Sequence, residues 1–381
     1  MKVIDRISKK MISAILIGTM VGVCMVGCGK EESQVENQEI VAKEGSVLVE
    51  DCYGKQIEVK ENPEYIGSVF ASISHALGML GETSRIVAIS EGNTRDYLFC
   101  EMFPEILEAR VAKGNSAISI EETMKDPAPD VLIMNPEGAM DEAAETQFSN
   151  MGVPTLTVSF NSLQEQLDIM SMLGDLVQQE ERAKKYIDYT NDIVELVESR
   201  VGNLKEEEKV SVYHSINELL RTDKPDSLSS DWMELAGTHN VAFDIIDADA
   251  EFTLTSKSYV ALEELLQADP ECIIINGGDV YDYIMANERF HNMQAFKNDK
   301  IFIIPLGATR WGHPNSMETC MAVLWTASTI YPEYFEDIDM REETKRFYSE
   351  VWNYELSDEQ VDNILGGRVY KEIKGDGVSG V

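Results

Sequence analysis

Hydrophobic and polar positions fall into two kinds of period along this chain. Short apolar runs with a period of two mark strands, and runs spaced three and four apart mark helices. Strands are expected at 47–50, 56–59, 65–70, 85–89, 130–134, 154–158, 210–214, 272–276 and 301–304. Helices are expected at 73–80, 96–107, 141–150, 163–176, 180–201, 231–236, 260–267, 279–286, 316–330, 342–352 and 357–365. The first two strands flank Asp51-Cys52-Tyr53-Gly54, a hairpin signal. Strand–helix alternation follows on both sides of residues 180–201, which predicts two blocks of mostly parallel sheet covered by helices.

The stretch 180–201 is the longest periodic element. Ala183, Ile187, Thr190, Val194, Val197 and Val201 fall on one helical face. Glu180 and Glu181 precede Lys184 and Lys185 by four residues, the favourable order for helix pairs. Gly202-Asn203 supplies the stop. Upstream, Ser162-Leu163-Gln164-Glu165 forms a capping box that starts the preceding helix. Gly174 and Gln178-Gln179 suggest a break between the two helices, although one longer helix fits the same pattern. At 1.5 Å per residue the rod would be about 33 Å long, joining the two blocks.

The N-terminus changes the picture. Lys2, Arg6, Lys9 and Lys10 precede an apolar run over 11–26 that is too short, and lacks the flank, for a retained membrane helix. It ends in Met25-Val26-Gly27-Cys28, which resembles a bacterial lipobox with Cys28 as the lipidated residue. A plain secretory signal is the alternative. Residues 28–45 are polar, acidic and aperiodic, the composition of a flexible tether. The expected organisation is signal peptide 1–27, tether 28–45, first α/β lobe 46–178, bridging helix 179–203 and second α/β lobe 204–381.

At 381 residues with a net charge of −36, the chain is large enough for two domains and repels nucleic acid. Beyond the leader lie Cys52, Cys100, Cys272 and Cys320, with no zinc-type spacing. Three pairings are open. The strand and helix positions of Cys272 and Cys320 favour buried free thiols.

Several segments together resemble a known family. Glu50-Asp51-Cys52-Tyr53-Gly54-Lys55-Gln56-Ile57 is similar to its D-x-x-G-x-x-V hairpin. Ile120-Glu121 through Pro129-Asp130-Val131-Leu132-Ile133 is similar to its E…PDlVi element. Leu262-Glu263-Glu264-Leu265-Leu266 through Asp269-Pro270-Glu271-Cys272-Ile273-Ile274 repeats that element, with Glu271 for the usual Asp. Asp231-Trp232-Met233-Glu234-Leu235-Ala236-Gly237 resembles a W-x-x-l-A-G segment, and Tyr331-Pro332-Glu333-Tyr334-Phe335 a yPe-x-F tail. In this order the segments span about 46–367 and resemble the substrate-binding proteins of bacterial ABC importers for iron-siderophores, haem and cobalamin. The resemblance implies two α/β lobes bridged by one long helix, with the ligand cleft between them. It also implies that Glu121 and Glu263 dock on a permease dimer.

Ligands of open α/β sheets bind outside the carboxyl ends of the strands. The loops expected there are 68–75, 90–97, 114–116 and 135–140 in the first block, and 213–221, 253–259, 276–283 and 307–313 in the second. Arg310-Trp311-Gly312-His313 leads the candidates, since guanidinium grips anionic oxygens and Trp gives a flat apolar wall. Arg95, Tyr97, Tyr213, Arg221, Tyr259 and Tyr281 follow. His75, His214 and His313 fall on cleft loops and could ligate a metal or haem iron, against the blander reading of scattered loop histidines. No cofactor is expected and no enzymatic motif such as G-x-S-x-G occurs. The expected function is a monomeric, lipid-anchored receptor on the extracytoplasmic face of the cell membrane, handing a ferric siderophore-type chelate to the permease. Haem, cobalamin or a metal oxyanion on the same scaffold stays open, as do an extracellular metal-dependent enzyme and an adhesion protein.

Overall fold

In the computed structural model Ala42–Val381 is one unit, and the residues before it are a separate one. The structure describes residues 42–114, 117–137, 142–246 and 258–367. The signal peptide, the lipidation residue Cys28 and most of the tether lie outside the described residues, as do parts of the loops 114–116, 135–140 and 253–259.

The hairpin pairs Ser46–Glu50 with Gln56–Lys60, antiparallel, with Ser46 opposite Lys60. Asp51 makes the turn: its Oδ1 accepts the Tyr53 and Lys55 amides at 2.9 and 2.8 Å. A five-stranded sheet follows in the order Arg110–Lys113, Ile86–Ser90, Ile66–Ser68, Val131–Met134, Thr155–Thr157, with every pair parallel. The strand Val131–Met134 is buried at all four positions, as a helix-covered parallel sheet requires. In the second lobe the parallel order is His239–Asn240, Ser211–Ser215, Cys272–Ile275, Ile301–Ile303. Arg221–Thr222 and Ser258–Tyr259 form a small antiparallel pair beside it.

The bridging helix runs Glu180–Val201, and the helix before it runs Leu163–Leu176. They are two helices. Gln178 takes a positive φ of 58° between them. Gly174 lets them close, since a Cβ there would lie 2.5 Å from the Ala183 Cβ. The buried face of the rod is Ala183, Tyr186, Tyr189, Thr190, Ile193, Val197 and Val201. It is turned from the expected face because two tyrosines bury their rings there. The Tyr186 hydroxyl, near Gln166 Oε1 at 2.8 Å and the Met317 carbonyl at 3.1 Å, ties the rod to both lobes.

Some expected boundaries shift for local reasons. The helix expected over 96–107 ends at Met102, because Pro104 starts a separate 3₁₀ turn, Pro104–Glu108. The helix expected over 231–236 runs Leu228–Leu235 and is capped by Ser227, while the Ser229 hydroxyl donates to the Gly312 carbonyl. The helix expected over 342–352 runs Met340–Phe347 and passes into a π-turn, Tyr348–Trp352. All four described cysteines are free, with Cys272 and Cys320 buried. Among the described residues no helix is long and apolar enough to cross a membrane.

Candidate functional site: a cleft between the lobes

In both sheets the carboxyl ends of the strands feed the same cleft. It has two compartments. The larger, about 620 Å³, lies between Ala71, His75 and the stretch 95–98 of the first lobe and Leu306–Arg310 and His313 of the second. The smaller, about 130 Å³, lies between Phe70, Asn135 and Phe160 on one side and Arg221, Lys224 and Pro314 on the other. Asn315 lines both, and its carbonyl accepts the Ser72 hydroxyl at 2.7 Å across the lobes.

The loop 310–313 points its residues in different directions. Trp311 is fully buried in the main core and lines neither compartment. The expectation that it forms a ligand wall is corrected: the ring fills the space under the loop. Gly312 follows because a Cβ there would meet Trp232 Cζ2 at 3.0 Å and His214 Nε2 at 3.5 Å. His313 emerges on the large compartment. Arg310 also lines it, but its Nη1 donates to the Gly367 carbonyl at 2.9 Å and the Ile304 carbonyl at 3.3 Å. It braces the wall.

Arg95 and Tyr97 stand on the facing wall. Arg95 is exposed there and makes no hydrogen bond or ion pair among the described residues. The Arg221 guanidinium likewise has no partner among the described residues and lines the small compartment. Tyr213 is a core residue: it is fully buried and its hydroxyl donates to the Leu219 carbonyl at 2.8 Å. Tyr259 is 53% exposed with its hydroxyl near Glu218 at 3.3 Å, and Tyr281 packs on the second-lobe core. Neither lines a compartment. The sequence reading missed Lys224, Asn315, Glu101, Gln360 and Asn363, which do. The last two belong to the C-terminal helix, which gave no signal beyond its amphipathic pattern.

The three histidines have different chemistry. His214 is fully buried, with Nδ1 3.0 and 3.1 Å from the two Asp223 carboxylate oxygens and Nε2 2.8 Å from Asn276 Oδ1. Burial pushes its pKa down, but Asp223 and Asn276 outweigh that, so the net shift is upward. With both nitrogens facing oxygens, the folded site favours the protonated ring. His313 is held down to about 3 by burial, then by Arg221, Arg310 and His214. Its Nδ1 accepts the Asn315 amide at 3.2 Å, so the ring is neutral with its proton on Nε2. His75 is buried, 2.9 Å through Nε2 from Asp96 Oδ2 and edge-on to Phe99, with no partner on Nδ1 among the described residues. The two sharing a cavity are therefore His75 and His313, while His214 lies behind and is occupied. Among the described residues no three histidine, cysteine or acidic side chains group as a metal cage.

A buried carboxylate sets the wall 307–309. Glu318 is inaccessible; its Oε2 accepts the Thr309 amide at 2.8 Å and hydroxyl at 3.1 Å, and its Oε1 accepts Trp352 Nε1 at 3.2 Å. Gly307 leaves room for it, since a Cβ there would come within 2.6 Å of Glu318 Oε2. Burial pushes the Glu318 pKa up against these donors.

Glu121 and Glu263 lie elsewhere. Each is exposed in the first turn of a short helix, Ile120–Thr123 and Leu262–Ala268. Each of those helices precedes the strand that pairs with the first strand of its sheet.

Comparison with known proteins agrees with this architecture. The periplasmic binding protein family matches residues 68–306. The molybdate-binding protein MolA of Haemophilus influenzae is 28% identical over 159 residues, 41% of this chain and 43% of MolA. Its molybdate-bound structure superposes with a TM-score of 0.70 at 18% identity, over 82% of this chain and 99% of that one. An uncharacterized ABC transporter substrate-binding lipoprotein of Bacillus subtilis, YvrC, is 20% identical over 84% of this chain and 96% of its own length. A periplasmic solute-binding protein of Veillonella parvula superposes with a TM-score of 0.69 at 23% identity, covering 84% and 97% of the two chains. With two α/β lobes on a single rod, a cleft between them and a family match over more than half its length, this chain belongs to the periplasmic binding protein family.

Proposed function

We propose that this protein is the substrate-binding component of an ABC importer, anchored through Cys28 outside the membrane, and that it captures an anionic metal chelate of the ferric siderophore type. The likeness to YvrC, an ABC transporter substrate-binding lipoprotein, supports the importer and lipoprotein parts of the reading. The observation that carries the cargo class is the large compartment. At about 620 Å³ it is sized for a drug-like ligand, and Arg95, without a partner among the described residues, faces it in a chain of net charge −36. A free guanidinium in so acidic a protein selects an anion. The neutral His313 adds an Nε2–H donor beside it. Nothing is converted: cargo enters, the lobes clamp around the rod and the complex docks on the permease.

A second reading is a metal oxyanion. The small compartment, about 130 Å³ with Arg221 and Lys224 in its wall, suits a small tetrahedral anion, and MolA is described bound to molybdate. Titrating the full chain with a ferric tris-catecholate, a ferric hydroxamate, haem, cobalamin and molybdate, with tryptophan fluorescence as readout, separates the readings. A ferric chelate should bind tightly, with affinity falling about tenfold in Arg95→Ala, as loss of a charged hydrogen bond gives. Binding of molybdate alone, lost in Arg221→Ala, would transfer the function to the second reading. No response across the panel would overturn both.

A further inference from the structure

We propose that the C-terminal helix Asp358–Gly366 is a third wall of the cargo site, and that Asn363 on its inner face contacts cargo and selects it. This rests on the large compartment being the cargo site. Gln360, Asn363 and Ile364 all line that compartment, so this helix bounds it together with the first lobe and the rest of the second.

The helix is fixed at both ends, which turns a terminal segment into a wall. At its start, Ser357 and Gln360 form a reciprocal capping box, with Ser357 N donating to Gln360 Oε1 at 2.8 Å and Gln360 N donating to Ser357 Oγ at 3.2 Å. The box uses the Gln360 side-chain oxygen and leaves its amide nitrogen to reach outward. That nitrogen donates to Glu101 Oε1 of the first lobe at 3.2 Å and to the Tyr354 hydroxyl at 3.0 Å. At its end, the Ile364 carbonyl accepts the Leu306 amide at 3.0 Å and the Gly367 carbonyl accepts Arg310 at 2.9 Å, both from the second lobe. On the outer face, Arg341 and Lys345 pair with Asp358 and Asp362. First turn and last turn are thus clasped to different lobes.

On this fixed helix the half-buried Asn363 amide makes no hydrogen bond among the described residues. A carboxamide offers two donors and an acceptor. With the Arg95 cation lining the same compartment, it fits a ligand with an anionic centre and peripheral amide, hydroxyl or catechol oxygens. A bare tetrahedral anion held by Arg221 would not reach it, because Arg221 and Asn363 line different compartments.

The test measures affinity for a ferric tris-catecholate, haem and molybdate with wild type, Arg95→Ala, Asn363→Ala and Asn363→Leu, all checked for unchanged thermal midpoint. Asn363→Ala should weaken the ferric chelate about five- to tenfold, the loss from one hydrogen bond. The Leu variant, near in volume, should weaken it similarly and narrow the preference for the chelate over haem. If Arg95→Ala weakens binding while both Asn363 variants stay within about twofold of wild type, the helix is not a wall and the cavity reading stands. If none of the three variants weakens it, or no probe binds, the cavity reading fails and the wall with it. A cargo-free measurement tests the clasp alone: amide hydrogen exchange over 358–366 should quicken in Gln360→Ala, and unchanged exchange would overturn it.

Discussion

At the scale of single residues, neighbours in sequence part company in role. Arg310, Trp311, Gly312 and His313 form one polar-aromatic loop on paper, yet one braces, one fills the core, one makes room and one lines the cleft. Residue type could not sort them, because sorting depends on which partners the fold brings near. His214 is the sharpest case. Its place at the end of a strand suggests a loop histidine, yet it is buried against Asp223, which also accepts the Asn240 side-chain amide at 3.1 Å. His214→Gln would leave Asp223 buried without its counter-ion, a loss of about 3–5 kcal/mol in similar pairs. Because the folded pKa is raised above 6.5, the charge contribution is complete below that pH and fades as pH rises through the folded value. Urea unfolding of wild type and His214→Gln should therefore show a stability gap that is widest near pH 6 and narrows at alkaline pH. A gap independent of pH would mean that the pair contributes through packing alone.

At the scale of elements, long-period signals survived and short ones did not. The rod was legible to its end residues, Glu180 and Val201, because 22 residues of amphipathic pattern outweigh local noise. Strands buried on both faces, such as Val131–Met134 and Cys272–Ile275, were legible as apolar runs. Arg110–Lys113, His239–Asn240 and the pair Arg221–Thr222 with Ser258–Tyr259 were not; they are two to four residues long and mostly polar, and tertiary pairing alone makes them strands. The cleft's loops were legible by topology, whereas the C-terminal helix at its rim was not, since that contact is long-range. The pattern leaves the break before the rod open; Gln178 makes it with a positive φ, and Gly174 lets the two helices close. Ala at this position gains up to about 1 kcal/mol of helix propensity. It must also place a methyl 2.5 Å from the Ala183 Cβ between two packed helices, an overpacking cost of about 1–3 kcal/mol. The clash wins: Gly174→Ala should lower the urea midpoint with unchanged slope. An unchanged or higher midpoint would show that the helix pair yields at no cost.

At the scale of the whole molecule, the two lobes share one continuous apolar core that includes the rod. Both the Tyr186 bonds and the Ser72–Asn315 contact span it or its cleft, so loading should move the lobes little, and recognition by a permease must read a nearly rigid body. Glu121 and Glu263 suit that task. They occupy equivalent places in the two lobes, one on each, at exposed helix starts. Glu263 is 81% exposed and meets Arg289 only at 3.5 Å, the kind of surface pair worth about 0–1 kcal/mol, so a permease arginine can replace Arg289 at little cost. Two carboxylates at fixed separation give orientation as well as attraction. Reversing both charges, Glu121→Arg with Glu263→Arg, should abolish uptake in cells while cargo affinity stays within about twofold of wild type. Neither residue lines the cleft, so affinity has no reason to change. Uptake at wild-type rate would remove both residues from the docking surface. Loss of affinity together with uptake would mean that the substitutions act through the fold, and the docking assignment would fall.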